Sequence, residues 1–405
     1  MEQEHRIHVD TMNYSSIEAT RKDDVVDDVT TTATSAVMEE NVIGNSENIT
    51  GTTSSTSMTI DQIEPIRALM QQLHDTGINF TYQWRKSQLH TLRRMLLDHW
   101  DDYCDALYQD LHKCPVEAVA TELMMIRTEL DYTIQQLRSW MRPISVPSPA
   151  LCAVAYTQVQ SRPLLGPGVL ILGPFNYPVS LVLHPAIGAL AAGNPVVIKP
   201  SECTPNVAKL LSNLISKYFT PDVMVCITGG IPETTQLLSY SWGRIFFTGS
   251  TKVGIIVTQA AAKTMTPVTL ECGGKSICYI DRATTPYQND TKLLQQIAQR
   301  IIWSKTLNCG QTCAATDTVI CDSDELVSLL VPQFIQSITT MFGRHPKTDS
   351  EIGRIVTQQH TQRLIDMIRE VEEYIATVPS PADSKNEKNH RQCRIVLGGS
   401  KDCDV

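Results

Sequence analysis

The chain has 405 residues, 42% hydrophobic and 19% charged, which is ordinary for a soluble globular protein of two or three domains. A formal net charge of -9 argues against a general nucleic-acid binder, which would carry a basic face. No run approaches the ~18 apolar residues of a membrane span and no signal peptide is recognisable, so we expect a cytoplasmic location. The 12 cysteines contain no CxxC pair, so we expect free thiols and no metal site.

The first 145 residues divide into a polar tail and a helical region. Residues 1–58 are rich in Thr, Ser, Asp, Glu and Asn without an apolar period, which predicts a disordered tail. Leucines at helical spacing from Leu89 to Leu111 predict one long amphipathic helix. A second helix, over Val116–Met141, ends before Pro143, and we expect it to pack across the cofactor-binding sheet.

From Gly168 short apolar runs alternate with helical segments, which predicts a parallel sheet covered by helices on both faces, an α/β fold. Ligands bind such sheets at the carboxyl ends of the strands, where several polar residues of this chain fall. The predicted strands are Val169–Leu172, Val196–Ile198, Val223–Ile227, Ile245–Phe247, Val268–Leu270 and Ile277–Ile280. The predicted helices are Pro185–Ala192, Pro205–Tyr218, Glu233–Leu238 and Val253–Lys263.

A cysteine on a glycine-bearing turn, Cys313 after Gly310, follows an isolated carboxylate, Glu271, at a strand end. This combination suggests a thiolate nucleophile with a separate base, as in chemistry that forms an acyl-enzyme and hydrolyses it. The segment Gly249–Gly254 follows a strand and opens a helix, whose free N–H groups suit a pyrophosphate. It is not a P-loop, because Ile255 and Ile256 replace the required lysine and hydroxyl.

Two shorter motifs each allow two interpretations from the residues alone. Lys199 and Glu202 flank a strand end, where they either bind ribose hydroxyls or form a solvated ion pair. Asn176 lies between Pro174 and Pro178, where its amide either stabilises an oxyanion or closes an Asx turn.

Taken in order, these motifs resemble the aldehyde dehydrogenase superfamily over about residues 60 to 400. The motif Gly-Gln-Thr-Cys and the segment Asp110–Lys113 resemble its class 3 branch, which acts on fatty and aromatic aldehydes. The resemblance implies a Rossmann-type NAD-binding domain over 59–281, with N-terminal helices, and an α/β catalytic domain, incomplete, over 282–405. The matching segments are Gly166–Val169, Gly173–Pro178, Ala191–Asn194, Lys199–Glu202, Phe247–Ser250, Pro267–Ser276 and Asn308–Cys313.

The resemblance also implies a role for each site residue. Cys313 would attack the aldehyde carbon, and Asn176 with the Cys313 backbone N–H would hold the thiohemiacetal oxyanion. Hydride would pass to the nicotinamide, and Glu271 would activate the water that hydrolyses the thioester to the carboxylic acid.

The cofactor residues would be Lys199, Glu202, Gly249 and Ser250. The acid at Glu202 suits a free ribose 2′-hydroxyl, so NAD is favoured and NADP stays open.

The chain also departs from the family pattern. The family continues well past Gly399 with a Glu-x-Phe-Gly-Pro motif, an oligomerisation hairpin and, in this branch, often a hydrophobic membrane tail. We therefore expect a fragment or a shortened protein, a homodimer in full-length form, and membrane association only through such a tail. Cys272 stands where leucine is usual and Cys309 where serine is usual, and an oxidative Cys309–Cys313 disulfide is one interpretation.

Three competing interpretations remain. The first is a catalytically weak or inactive remnant that binds nucleotide or a partner subunit, since unpaired sheet edges and a lost ribose contact would weaken activity. The second is an acyl-transferring relative that passes the thioester to coenzyme A. The third is a cysteine protease using His345 or His360, which nothing in the sequence fixes near Cys313.

Overall fold

The computed structural model describes residues 60–152, 154–281 and 291–377. The predicted tail over 1–58, the predicted domain boundary at 282 and the residues beyond 377 lie outside these ranges.

A bundle of helices opens the described chain. The predicted single helix from Leu89 to Leu111 is wrong, because the chain breaks at His99, where φ is -124° and ψ is 28°. The apolar spacing continues from Leu96 to Trp100 across the break, so periodicity alone cannot detect it. The helices are α1 Ile63–Thr76, α2 Tyr82–Asp98, α3 Trp100–Leu111, α4 Pro115–Ala118 and, after a π-helical turn over Val119–Leu123, α5 Met124–Trp140.

Five parallel strands form the central sheet: β3 Val169–Leu172, β4 Val196–Lys199, β5 Met224–Cys226, β6 Arg244–Gly249 and β7 Val268–Cys272. Their order across the sheet is β5-β4-β3-β6-β7, which confirms the predicted α/β fold. β3, β4 and β5 are buried throughout, as expected for strands covered on both faces. An antiparallel pair, β1 Ile144–Val146 and β2 Thr157–Val159, precedes them. The five strands of the central sheet alternate with helices along the chain. The helices between and after them are α6 Ser180–Ala191, α7 Pro205–Tyr218, α8 Ile231–Ser239 and α9 Thr251–Ala262.

Alternate side chains of the strands enter two separate cores. Ile171 and Ile198 face a core shared with α2, α3, α5, α6 and α7. Leu170 and Val197 face the opposite core, shared with α1, α8 and α9. The helix expected to cross the sheet, α5, packs against α2 and α6, and α6 is the helix that contacts β3 and β4. Side chains of α5 and α6 share one core with β3 and β4, in line with the expectation that this helix packs across the sheet.

The sixth predicted strand leaves the central sheet. β8 Ser276–Ile280 pairs in parallel with β9 Thr316–Cys321 in a separate two-stranded sheet. Only the three residues 273–275 separate β7 from β8, too few for the crossover that parallel neighbours need. The third core holds Ile280, Leu294, Ile301, Leu326 and Leu330. The remaining helices are α10 Thr291–Thr306, α11 Asp324–Phe342, α12 Pro346–Asp349 and α13 Gln358–Thr377.

One segment of the described chain corrects the expectation that no run could span a membrane. Asp324–Asp349 has a mean hydropathy of 1.4 and is long and apolar enough to do so by length and composition. Leu326 and Leu330 of this segment pack into the third core, and α11 lies against α10. Only 17% of the apolar stretch is buried, so one face of α11 packs in the third core and the rest is exposed.

We expect Gly168→Ala to lower the free energy of unfolding by roughly 1–3 kcal/mol, because Gly168 needs left-handed backbone. Its φ is +111°, and a Cβ there would lie 2.5 Å from the Pro195 carbonyl oxygen. Urea unfolding of both proteins measures the difference. The control is Gly188→Ala in α6, where an added Cβ meets nothing within 4 Å. If the two variants unfold alike, the close approach at Gly168 is not a constraint.

Candidate active site

The sheet topology brings the predicted site residues to one edge. Asn176 follows β3, Lys199 ends β4, and Ser250 follows β6. Glu271 in β7 pairs with Thr248 of β6. Because all these strands run parallel, their carboxyl ends meet at the same edge, beside the point where strand order reverses around β3.

A cavity of about 810 Å³ opens at this edge. Asn176, Gly249, Ser250, Glu271 and Cys313 all line it, so the predicted nucleophile, base, oxyanion donor and cofactor turn face one space. Cys313 and Glu271 are solvent-exposed within it. Apolar side chains complete the lining, among them Phe175, Leu181, Phe246, Ile355 and Leu364.

The turn before Cys313 is strained. Asn308 and Cys309 have φ values of 53° and 54°, and Gly310 follows at 78°. For residues with a Cβ this left-handed backbone costs roughly 1–2 kcal/mol each. The Glu117 carboxylate accepts a hydrogen bond of 2.5 Å from the Asn308 backbone N–H, and Gln311 Nε2 donates to the Asn308 carbonyl at 3.1 Å. These bonds hold a conformation that the turn would not keep alone.

Side chains from the loop after β3 tie this turn to the sheet. Asn176 Nδ2 donates to the Gln311 carbonyl at 2.8 Å, and Asn308 Nδ2 donates to the Asn176 carbonyl at 2.6 Å. An amide nitrogen carries two hydrogens, so Asn176 keeps one for a ligand in the cavity. The hydroxyls of Tyr177 and Thr312 share a bond of 2.6 Å. Burial raises the pKa of Tyr177 to about 12, so its hydroxyl stays protonated and the link persists at neutral pH.

Gln311 connects the turn to the segment after α12. Its Nε2 donates to the Arg354 carbonyl at 3.0 Å, and its Oε1 accepts from the Val356 N–H at 3.0 Å. Sequence reasoning assigned no role to Gln311, Glu117 or Asn308. Most of their partners lie far along the chain, and the only feature of the sequence that pointed to them was the polar composition of residues 308–312.

The cysteines at the cavity differ in exposure. Cys313 is exposed, whereas Cys309 and Cys272 are both half-buried. Burial raises the pKa of the Cys309 thiol, and the Arg354 cation offsets this only partly. A raised pKa means less thiolate at neutral pH, so Cys309 is poorly suited to act as a nucleophile.

The edge also offers groups for a dinucleotide. Ser250 caps α9 by accepting from the Val253 N–H at 3.3 Å, and the buried Thr248 Oγ1 has no hydrogen-bond partner among the described residues. Lys199 donates to Glu202 at 2.8 Å. Burial alone would raise the pKa of Glu202, but the bonds from Lys199 and from its own backbone N–H lower it overall, so it is a carboxylate at neutral pH. Glu202 and Gly229 line a second cavity of about 420 Å³.

The histidines of the protease interpretation lie outside the cavity lining. His360 Nδ1 is bonded to the Thr357 hydroxyl at 2.7 Å, and its ring packs edge-on against Phe175 at 5.1 Å. His345 donates its backbone N–H to Asp349 at the start of α12. Among the residues that the structure describes, neither ring is hydrogen-bonded to Cys313, so they form no Cys–His pair.

Comparison with known proteins gives a consistent result. The protein-family model described as "Aldehyde dehydrogenase family" matches residues 40–396 of this chain. Mouse aldehyde dehydrogenase family 3 member B3 is 39% identical over 305 residues, which are 74% of this chain and 61% of that protein. Human aldehyde dehydrogenase family 3 member B1 is also 39% identical, over 74% of this chain and 62% of its own length.

A solved structure described as the substrate-bound state of Staphylococcus aureus AldH is 33% identical, with a TM-score of 0.70. The match covers 77% of this chain and 66% of that one. Succinic semialdehyde dehydrogenase from Streptococcus pyogenes, solved in complex with NADP+, is 18% identical with a TM-score of 0.64 and shares the fold. The chain thus spans about three fifths of the length of the first two relatives.

We expect limiting iodoacetamide at pH 7 to alkylate Cys313 at least about tenfold faster than Cys309, because Cys313 is exposed and burial raises the pKa of the Cys309 thiol. Raising the pH should accelerate labelling of Cys309, whose pKa is raised by burial. Peptide mass spectrometry measures both rates. Cys226, with a pKa raised to about 12 by complete burial, is the unreactive control. Equal rates at the first two cysteines would contradict the assignment of Cys313 as the open thiol.

Proposed function

The chain belongs to the aldehyde dehydrogenase family, and on that premise we propose that it oxidises aldehydes to carboxylic acids with NAD or NADP. The observation that carries the proposal is the single cavity lined by Cys313, Glu271 and Asn176 together with the turn Gly249–Ser250. A nucleophile, a base, an oxyanion donor and a cofactor turn in one space are the parts that this reaction requires.

The chemistry begins with attack of the Cys313 thiolate on the aldehyde carbon. A C–S bond forms, and the former carbonyl oxygen becomes an oxyanion that accepts from Asn176 Nδ2 and the Cys313 N–H. A nicotinamide held by Lys199, Glu202, Gly249 and Ser250 would supply the hydride acceptor for that carbon, and loss of the hydride would leave a thioester on Cys313. Glu271 then removes a proton from water, the water oxygen adds to the thioester carbon, and the C–S bond breaks to release the acid and regenerate the thiolate.

The residues present fit a dinucleotide. The Thr248 hydroxyl, which has no hydrogen-bond partner in the described part of the chain, lies on the strand that ends at Gly249, beside the start of α9, where backbone N–H groups suit phosphate. Glu202, charged at neutral pH, would accept from a ribose 2′-hydroxyl and repel a 2′-phosphate. NAD is therefore the proposed preferred cofactor, and NADP the weaker one.

We further propose medium- or long-chain aliphatic or aromatic aldehydes as the substrates. The apolar lining of the cavity by Phe175, Leu181, Phe246 and Leu364 supports this class, since such side chains favour an apolar aldehyde tail. A cytoplasmic location, a homodimer and membrane association through a C-terminal tail stay predictions from the sequence.

We expect the purified chain with NAD and hexanal, a long-chain aldehyde or benzaldehyde to form NADH, measured by absorbance. Cys313→Ala should abolish turnover, and Asn176→Ala should lower kcat by about 10²–10³, the cost of one oxyanion donor. Glu271→Gln should give one rapid equivalent of NADH and then stall, because the thioester is no longer hydrolysed.

Cys152→Ala serves as the matched control, since Cys152 is an exposed thiol that does not line the cavity. A folded wild-type protein that forms no NADH with any of these aldehydes would overturn the proposed activity. Turnover that survives in Cys313→Ala would overturn the assigned nucleophile.

We expect Glu202→Gln to shift the ratio of kcat/KM for NAD over NADP toward NADP by about tenfold. The substitution removes the charge that repels a 2′-phosphate and weakens a charged hydrogen bond of roughly 1.5 kcal/mol. Steady-state kinetics with both cofactors measure the ratio. Glu64→Gln, at an exposed ion pair with Arg67, is the control. An unchanged ratio in Glu202→Gln would remove Glu202 from cofactor selection.

A further inference from the structure

The only salt bridge among the described residues with both side chains fully buried lies beneath the candidate active site. Lys113 Nζ donates to Glu122 Oε1 at 2.6 Å, and neither side chain is exposed to solvent. Glu122 lies in the π-helical turn Val119–Leu123, which adds a residue to the helix and changes the direction of its side chains. Such turns often occur at functional sites. Replacing a buried pair of this kind by apolar side chains is often neutral for stability, so stability alone does not account for the pair.

Each partner of the pair contacts the loop that carries Asn176. Glu122 Oε2 accepts from the backbone N–H groups of Val179 and Ser180, both at 3.0 Å. Ser180 begins α6, where no side chain of the helix itself caps these N–H groups, so Glu122 supplies the acceptor and a favourable charge for the helix dipole. Glu122 therefore fixes the carboxyl end of the loop.

Lys113 fixes the other end. Its ammonium lies 4.4 Å from the centre of the Tyr177 ring, and it donates to the Asn176 carbonyl at 3.4 Å. Asn308 Nδ2 donates to the same carbonyl, so this one oxygen connects the buried pair to the turn before Cys313. The main chain of Asn176 is thus held from both sides.

We propose that Lys113 and Glu122 are positioning residues, which hold the loop 176–180 so that the Asn176 amide faces the oxyanion formed at Cys313. The inference rests on the proposed dehydrogenase function. The pair touches neither the substrate nor the cofactor turn, because neither residue lines the cavity. It acts through Asn176.

The test is a double substitution, Lys113→Met/Glu122→Met, which removes both charges and keeps the volume. We expect kcat to fall by about 10²-fold, as for a small displacement of a catalytic group, with the KM for NAD unchanged. In an Asn176→Ala background the same double substitution should cost less than about 2-fold, because the group that it positions is absent. Multiplicative losses in the two backgrounds would overturn the proposal.

The matched control is Arg93→Met/Asp131→Asn, which removes an exposed ion pair of 2.6 Å between α2 and α5 and should leave kcat unchanged. Thermal unfolding identifies a variant that does not fold. In that event Glu122→Gln, which keeps the shape of the side chain, takes its place with the same expected non-additivity. A folded Glu122→Gln whose loss of kcat multiplies with that of Asn176→Ala would overturn the proposal.

Hydrogen exchange separates this inference from the proposed function, because it needs no turnover. We expect the amides of Val179 and Ser180 to be protected in the wild-type protein and to exchange faster in the double variant, with α5 unchanged. Faster exchange at these amides supports the placement even if no aldehyde is oxidised, in which case the proposed activity alone fails. Unchanged protection would show that the pair does not hold the loop.

Discussion

The parallel direction of the five central strands is the constraint on which the candidate active site depends. Parallel pairing forces each connection to cross back over a face of the sheet, so the strands all end at one edge. Asn176, Ser250 and Glu271 come from three separate strand ends and meet only because of this geometry. Each of these residues alone indicates no particular chemistry, and they form a candidate site because the sheet brings them together.

The second constraint lies in the turn before Cys313. Two consecutive non-glycine residues with positive φ are unfavourable, and the turn keeps this backbone because neighbours from three distant segments bind it. Glu117 comes from α4, Asn176 from the loop after β3, and Arg354 from the segment after α12. The nucleophile is therefore positioned by tertiary structure, and its local sequence supplies only the glycine and the polar side chains.

The sequence predicts the sheet well and the supporting contacts poorly, for physical reasons. Strands buried on both faces are continuous apolar runs, so β3 was predicted with its observed ends, Val169 and Leu172. The departure of β8 from the sheet follows from the three-residue link before it, a matter of chain length that apolar patterning does not reveal. The break at His99 leaves the apolar spacing intact and is equally invisible to it.

The contacts of Lys113 and Glu122 were beyond the sequence for a further reason. Glu122 directly precedes Leu123 within the predicted helix Val116–Met141, where a charged residue beside an apolar one is typical of a solvent-exposed helix face. Its N–H partners lie 57 and 58 residues further on, at the start of α6. Burial and pairing of that kind are properties of the packed structure, and no local pattern encodes them.

Three glutamates near the site show how environment divides one side-chain chemistry into three tasks. Glu271 is exposed at a strand end with open cavity in front of it, so water can reach its carboxylate. Glu202 is half-exposed and paired with Lys199, so it remains charged and can select among ribose substituents. Glu122 is fully buried, and all its bonds go to Lys113 and two backbone N–H groups. A carboxylate without solvent cannot exchange protons readily with substrate water, but its desolvated bonds are directional and costly to break, which suits it to fixing a backbone.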